Sequence, residues 1–207
     1  MDDTRVNIDP DGDTLILLPP DQKFGSQNNI KNHRRHFFKV SMKQLLKASS
    51  YVKYRLDGPF QEIKPQADGL RYWKFDPIFD PEAFKIVMSI FHAQFREIPD
   101  IVSLEMLSNI ALIVDELRCA VSVRHVGKLW LTELDKDIDP DEDVEYDGIT
   151  CARNIFISEI FGLRDRTEWA GKMAIFWSPD IYSRFELPIH PYIPSKEPLK
   201  RVLLVKS

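Results

Sequence analysis

Phe38 to Val52 reads FKVSMKQLLKASSYV, and this stretch decides the fold. Phe37 to Val40 is a short aromatic and β-branched run, which predicts a strand. Ser41, with Gln44 three residues later, has the reciprocal N-cap spacing in which each side chain takes up an orphan amide of the first turn, so a helix is expected to start there. Leu45, Leu46, Ala48 and Val52 give that helix an apolar face, while Lys43, Lys47 and Lys53 stay in water. Gly58-Pro59 closes the unit.

Upstream, Thr14 to Leu18 (TLILL) is a continuous apolar run stopped by Pro19 and Pro20, and its length and flanks predict a core strand covered on both faces. Pro19 to His36 is too hydrophilic to bury anything and too long for a tight hairpin, so it reads as an exposed loop. Downstream, Leu70 to Phe75 (LRYWKF) is a third strand. Asp80-Pro81 is an N-cap followed by proline at the first helical position, where its missing amide costs nothing. Phe84, Val87, Met88 and Phe91 share one face of the helix that follows, and Ile86 and Ile90 make much of the opposite side apolar. Ser103 caps another helix, whose stripe Leu104, Leu107, Ala111, Val114, Leu117, Val121 keeps helical spacing for five turns. Ala152, Ile155, Phe156 and Ile160 form a helical face ended by Gly162, and Trp169, Ala170, Met173, Phe176 and Trp177 form another ended by Pro179. Strands early and helices late predict an α+β chain in which helices flank a small sheet.

The chain has 207 residues, of which 43% are apolar, enough to build a core without disulfides or metals. Cys119 and Cys151 show no CxxC spacing, which points to a reducing compartment and not to a zinc module. The start, MDDTRVNIDPDGD, is acidic where a signal peptide needs a basic residue and an apolar stretch, and no window approaches the ~18 apolar residues of a membrane span. A cytoplasmic or nuclear protein, free of the membrane, is the expectation.

Charge divides the chain. Glu133 to Asp147 holds nine acids and one lysine, a segment charge of −8; subtracting it from the chain's −4 leaves +4 on the rest. The expected organisation is therefore a folded region over 1–134, an acidic linker over 135–150, a helical extension over 151–178 and a proline-rich tail over 179–207, where Pro188, Pro191, Pro194 and Pro198 preclude a continuous helix.

FKVSMKQLLKASSYV resembles the strand-helix signature of BTB/POZ domains, with Phe38, Leu45, Ser49, Ser50 and Tyr51 in register. DGDTLILL (Asp11 to Leu18) is similar to that family's first strand, DPEAFKIVMSIFHAQFREIP (Asp80 to Pro99) to its third helix and the turn after it, SLEMLSNIALIVDELRC (Ser103 to Cys119) to the next helix, and HVGKLWLTEL to the last core helix. The likeness is greatest to fungal BTB proteins, on Ile90-Phe91-His92. The resemblance implies a BTB/POZ fold, a three-stranded sheet flanked by helical hairpins, and over 1–134 a domain that works by protein association. It implies a homodimer, whose interface would bury aliphatic residues such as Leu45, Leu46, Val52 and Leu56 against their symmetry mates. Docking of a cullin-type ubiquitin ligase scaffold, as a substrate adaptor, is the alternative implication, and a nuclear repressor or nucleic-acid-associated factor using the basic stretch 31–55 is the second alternative.

Several residues carry candidate roles with a plain structural reading beside each. Phe60-Gln61-Glu62 resembles the hydrophobic-x-Glu motif of cullin-binding BTB domains, in which Phe60 would fill a pocket and Glu62 make a charge-assisted contact; the alternative is a loop packed under its own domain. Asp13 and Lys39 fall where some BTB repressors have a charged pocket, and an opposite-charge pair across strands is the structural alternative. Lys31 to Arg55 carries eight Lys and Arg side chains and no acid, interleaved with Phe37, Phe38, Tyr51 and Tyr54. That composition fits a phosphate-tracking surface, but Phe37 and Phe38 begin a strand and at least one must face the core, so nucleic acid is disfavoured as partner.

The alternating aspartates from Asp135 to Asp143 fail a calcium loop, because the positions that need glycine and glutamate hold Pro140 and Tyr146, or Glu142 and Gly148. His33 and His36 flank Arg34-Arg35 with no Cys or carboxylate cluster to complete a metal site, and His92 and His125 read as hydrogen-bonded or half-exposed helix residues. No GxSxG, HExxH, P-loop or dinucleotide glycine pattern occurs. The expectation is a non-enzymatic chain with no cofactor, no metal and protein partners.

Overall fold

The structure, a computed structural model, describes residues 3–19, 35–56, 64–75, 79–136 and 148–177. Two compact units are formed, one by Met1–Pro99 with Ile113–Val123 and one by Asp100–Leu112 with Arg124–Ser207. The described residues are of mixed α and β structure.

The first unit is built on a sheet. Its strands are β1 (Thr4–Asn7), β2 (Thr14–Leu18), β3 (His36–Val40) and β4 (Arg71–Lys74), in the order β1-β3-β2-β4. β3 is antiparallel to β2, and the two outer pairings, β1 with β3 and β2 with β4, are parallel. Three of these strands match the expected sheet; β1 makes it four. TRVN carries a single apolar residue, half-buried Val6, so no apolar run announces the strand, and it is held by its register against β3.

Val6, Phe38, Ile16 and Trp73 line up across one face, where Phe38, Ile16 and Trp73 are buried. The opposite face is only half covered. Leu15 and Leu17 point to the other face by the two-residue period of the strand and are only half-buried there, beside Lys39, Tyr72 and Lys74 of the neighbouring strands. The expectation of a strand covered on both faces is thereby corrected.

Two helices follow, α1 (Met42–Ala48) and α2 (Ser50–Leu56), where one was expected. The break falls at Ser49, whose backbone is extended (φ −125°, ψ 121°). Its buried hydroxyl accepts the Val52 N–H at 3.0 Å and so starts α2 as a cap. The expected reciprocal cap of Ser41 with Gln44 is absent: Ser41 makes no side-chain cap bond, and the first amide of α1 goes elsewhere.

Helix α3 (Pro81–Phe91) forms as its sequence predicts, with the Asp80 carboxylate accepting the Ala83 N–H at 2.8 Å. Phe84 sits among Phe38, Phe75 and Phe79 with ring centroids 4.9 to 6.0 Å apart, spacings at which aromatic pairs add to burial. Buried Ile86, Val87 and Met88 bear out a helix covered on more than one side.

The five-turn stripe from Leu104 is interrupted. It divides into α4 (Leu104–Glu116) and α5 (Ala120–Asp135), and Val121 at its end is 88% exposed. Arg118 takes φ 48°, and the amides of Arg118 and Cys119 return to the Asp115 and Val114 carbonyls, the doubly bonded helix stop usually made with glycine. Period alone could not reveal a stop whose left-handed residue is an arginine.

The described secondary structure of the second unit is helical. Buried Leu107, Ile110 and Ala111 belong to it, as do Trp130 and Leu131 of α5. Helices α6 (Gly148–Ile160) and α7 (Arg164–Trp177) pack on each other and are joined at Gly162, which has φ 64° and repeats the same stop. Gly127 on α5 lies against the buried Phe161 ring. The buried Asn154 amide oxygen accepts from the Arg166 guanidinium at 2.8 Å, and Arg166 also reaches the Asp135 carboxylate. No helix among the described residues is long and apolar enough to cross a membrane.

Candidate interaction surface

Two side chains from outside α1 fix where it begins. Asp13, in the turn before β2, accepts the Met42 N–H at 2.8 Å and the Thr14 hydroxyl at 3.1 Å on Oδ1, while Oδ2 accepts from Arg71 at 2.6 Å. Partial burial works against the charge on Asp13, but these donors outweigh it and hold the carboxyl below its ordinary value. His92, at the end of α3, accepts the Ser41 N–H on Nε2 at 2.9 Å, and its Nδ1 donates to the Met88 carbonyl at 2.8 Å. A carbonyl can only accept and an amide N–H only donate, so the two bonds fix the tautomer. His92 is thus hydrogen-bonded and partly buried, as expected.

The expected Asp13–Lys39 pair does not form. Asp13 is turned to Met42 and Arg71, and the Lys39 ammonium donates to the Pro10 carbonyl. The reason is position: Asp13 precedes β2, so it is not opposite Lys39, whose partner across β2 is Leu15.

Three hydroxyls attach the α1–α2 break to the turn between α4 and α5. Ser49 Oγ donates to the Leu117 carbonyl, Ser50 Oγ to the Arg118 carbonyl at 3.1 Å, and Ser122 Oγ to the Ala48 carbonyl at 2.9 Å. The carbonyls left orphaned at two helix ends are thereby satisfied. Cys119 is buried in the same turn, and burial pushes its thiol up to about 12.

The outward positions of these helices follow helical spacing: Lys43, Leu46 and Lys47 on α1, then Ser50, Lys53 and Tyr54 on α2, all exposed. Arg118 and Val121 are exposed beside them on the attached turn. Leu46 is 37% exposed and Tyr54 80%. Leu45 and Val52, expected to meet symmetry mates, are each 1% exposed and covered within the chain itself. The Leu56 side chain lies outside the described residues.

Phe38 is buried. Phe37, on the other face, has the Arg5 and Arg35 guanidinium carbons each 5.8 Å from its ring centroid, and Arg35 is also paired in two bonds of 3.1 Å with Asp3. Neither ring is a free stacking platform. A second feature is an open cleft of about 730 Å³ between β1 and the turn after α3. Val6, Ile8, Gln94 and Phe95 line it, with the Lys85–Glu97 ion pair at 3.4 Å.

Phe60, Glu62, Lys31, His33, Arg34, the acids from Asp137 to Asp147 and the tail from 178 onward lie outside the described residues. Among the described residues, no three His, Cys, Asp or Glu side chains gather as a metal site would require. Sequence reasoning missed the capping by Asp13 and His92, the serine attachments and Arg118. All are contacts between segments distant in sequence, or a backbone angle at a residue that seldom adopts it. No protein-family model matches the chain, and no curated protein matches it by sequence.

Proposed function

We propose that this chain is a non-catalytic protein-association module of the BTB/POZ kind, whose first partner is a second copy of itself. The observation that carries the reading is the order of elements: the β2–β3 hairpin, the α1–α2 pair, β4, α3, then the α4–α5 pair. A small sheet followed by helical pairs is what the resemblance of Phe38 to Val52 and its neighbouring blocks implies. β1 supports a self-association role. It has β3 on one side and, among the described residues, no strand on the other, and an edge strand offers a row of unpaired amides and carbonyls to another chain.

Thr4 and Ile8 send their amides to Arg35 and Lys39 on the β3 side. The alternation of a parallel pair then turns those of Arg5 and Asn7 outward. Sedimentation equilibrium at micromolar concentration tests the reading. A dimer is expected, weakened by Asn7→Pro, which deletes an outward donor and spares the bonds to β3. A wild-type protein that stays strictly monomeric removes the self-association claim.

A further inference from the structure

We propose that the outward face of α1 and α2, with the attached α4–α5 turn, docks an acidic peptide segment that carries bulky apolar side chains. The inference rests on the protein-association reading and names the chemistry of one partner. Four cations, Lys43, Lys47, Lys53 and Arg118, are exposed here, and none forms an ion pair among the described residues. α1 and α2 contain no acid at all; the acids nearest along the chain on the attached turn are Asp115 and Glu116, on the last turn of α4. Lys43 and Lys47 stand one helical turn apart, a like-charge spacing that disfavours the free helix and is relieved by an anion.

The face is not merely a solvated basic surface. Leu46, Tyr54 and Val121 are exposed on the same short elements as the cations, Leu46 between Lys43 and Lys47, Tyr54 next to Lys53 and Val121 three positions after Arg118. Apolar side chains interspersed with charge suit a surface that binds protein segments. Arg118 is carried at an exposed helix stop whose left-handed backbone angle is shared by Ala93 and Gly162.

Charge also selects the occupant. A two-fold contact lays a patch against its own copy, so a dimer through this face would set Lys43, Lys47 and Lys53 against the same three lysines. A second copy is therefore disfavoured here, consistent with self-association through β1. Single-stranded nucleic acid would want a series of aromatic platforms; Phe38 is buried and Phe37 already has two guanidinium groups near its ring, which leaves Tyr54 as the exposed ring of this face.

The test uses the full chain and three fluorescein-labelled probes at one ionic strength: a peptide mixing Glu with Leu and Phe, the same peptide with every Glu replaced by Gln, and a single-stranded oligonucleotide. The Glu peptide is expected to bind, the Gln peptide to bind roughly tenfold more weakly, and Lys47→Glu with Lys53→Glu to weaken the Glu peptide by roughly tenfold or more. Both substitutions are at exposed positions, and circular dichroism with sedimentation of the double variant checks its fold and oligomeric state. Equal binding of the Glu peptide by wild type and a folded double variant overturns the docking face while leaving the association reading intact. Preference for the oligonucleotide also overturns it. A monomeric wild type whose Glu-peptide binding is lost on charge reversal removes the dimer and supports the face.

Discussion

Asp13 caps a helix to which it does not belong: its Oδ1 accepts the Met42 N–H at 2.8 Å, 29 positions along the chain. Ser41, the residue in the cap position, contributes no side-chain bond. The start of α1 is thus fixed by the turn before β2, and the same carboxylate holds Arg71 of β4 at 2.6 Å.

Asp13→Ala is expected to lower stability by about 1 kcal/mol, the usual worth of a helix cap, measured by urea denaturation near neutral pH. The pH dependence has a definite sign. The folded carboxyl titrates below its ordinary value, so its contribution is present above the unfolded value of roughly 3.9 and disappears as pH falls through the folded one. The stability gap between wild type and Asp13→Asn should accordingly narrow on acidification below about pH 4. A gap that widens there would contradict the role given to the charge.

Gly127→Ala opposes two effects of known sign. Alanine inside a helix is ordinarily better than glycine by roughly 0.5 to 1 kcal/mol. Here, however, a Cβ would stand 2.8 Å from the Phe161 ring, which is itself fully buried. Overpacking of that kind costs about 1 to 3 kcal/mol, so the variant should be less stable than wild type, and Phe161→Leu in the same chain should recover part of the loss. A thermal melt of the three proteins decides it.

Arg118→Gly and Ala93→Gly should each raise stability by up to about 1 kcal/mol, because both residues hold left-handed angles, φ 48° and φ 54°, in helix stops that glycine makes without strain. Gly162→Ala should act in the opposite direction, since Gly162 has φ 64°. Arg118→Gly should also weaken the acidic probe, which separates the backbone from the charge.

Arg166→Ala is expected to destabilise the α6–α7 pair by about 1 to 3 kcal/mol. Its guanidinium is shared between the Asp135 carboxylate and the Asn154 amide oxygen, and Asn154 is 5% exposed, so the truncation leaves a buried acceptor without its donor. Asp135→Asn, which keeps an acceptor on the exposed side of the pair, should cost less. Equal losses from the two variants would show that the buried amide is not the dominant partner.

What the sequence revealed follows from how local each signal is. TLILL, the aromatic run before Phe75, Asp80-Pro81 and the Ser103 cap announce their elements within a few residues, and all form. β1 escaped because TRVN is polar and is a strand only by virtue of β3. The single helix expected over Ser41 to Val52 became two because a serine can end one helix and cap the next, and the decisive bond of Ser49 runs to Leu117. Leu45 and Val52 share a periodicity with Leu46, yet only the fold tells which of them looks inward. The expected linker over 135–150 gives up residues to helices at both ends, Asp135 closing α5 and Gly148 to Thr150 opening α6, because its acids do not break a helix there.

The break at Ser49 leaves α1 and α2 with seven residues each. Helices so far below the roughly 12 to 15 residues that persist alone in water exist only while the rest of the unit holds them. Residues 42–56 are therefore not a portable epitope: grafted elsewhere or synthesised alone, they should show coil spectra and no affinity for a ligand of the intact protein. Their amides should exchange with solvent together with those of the Leu117–Ser122 turn, as one cooperative block.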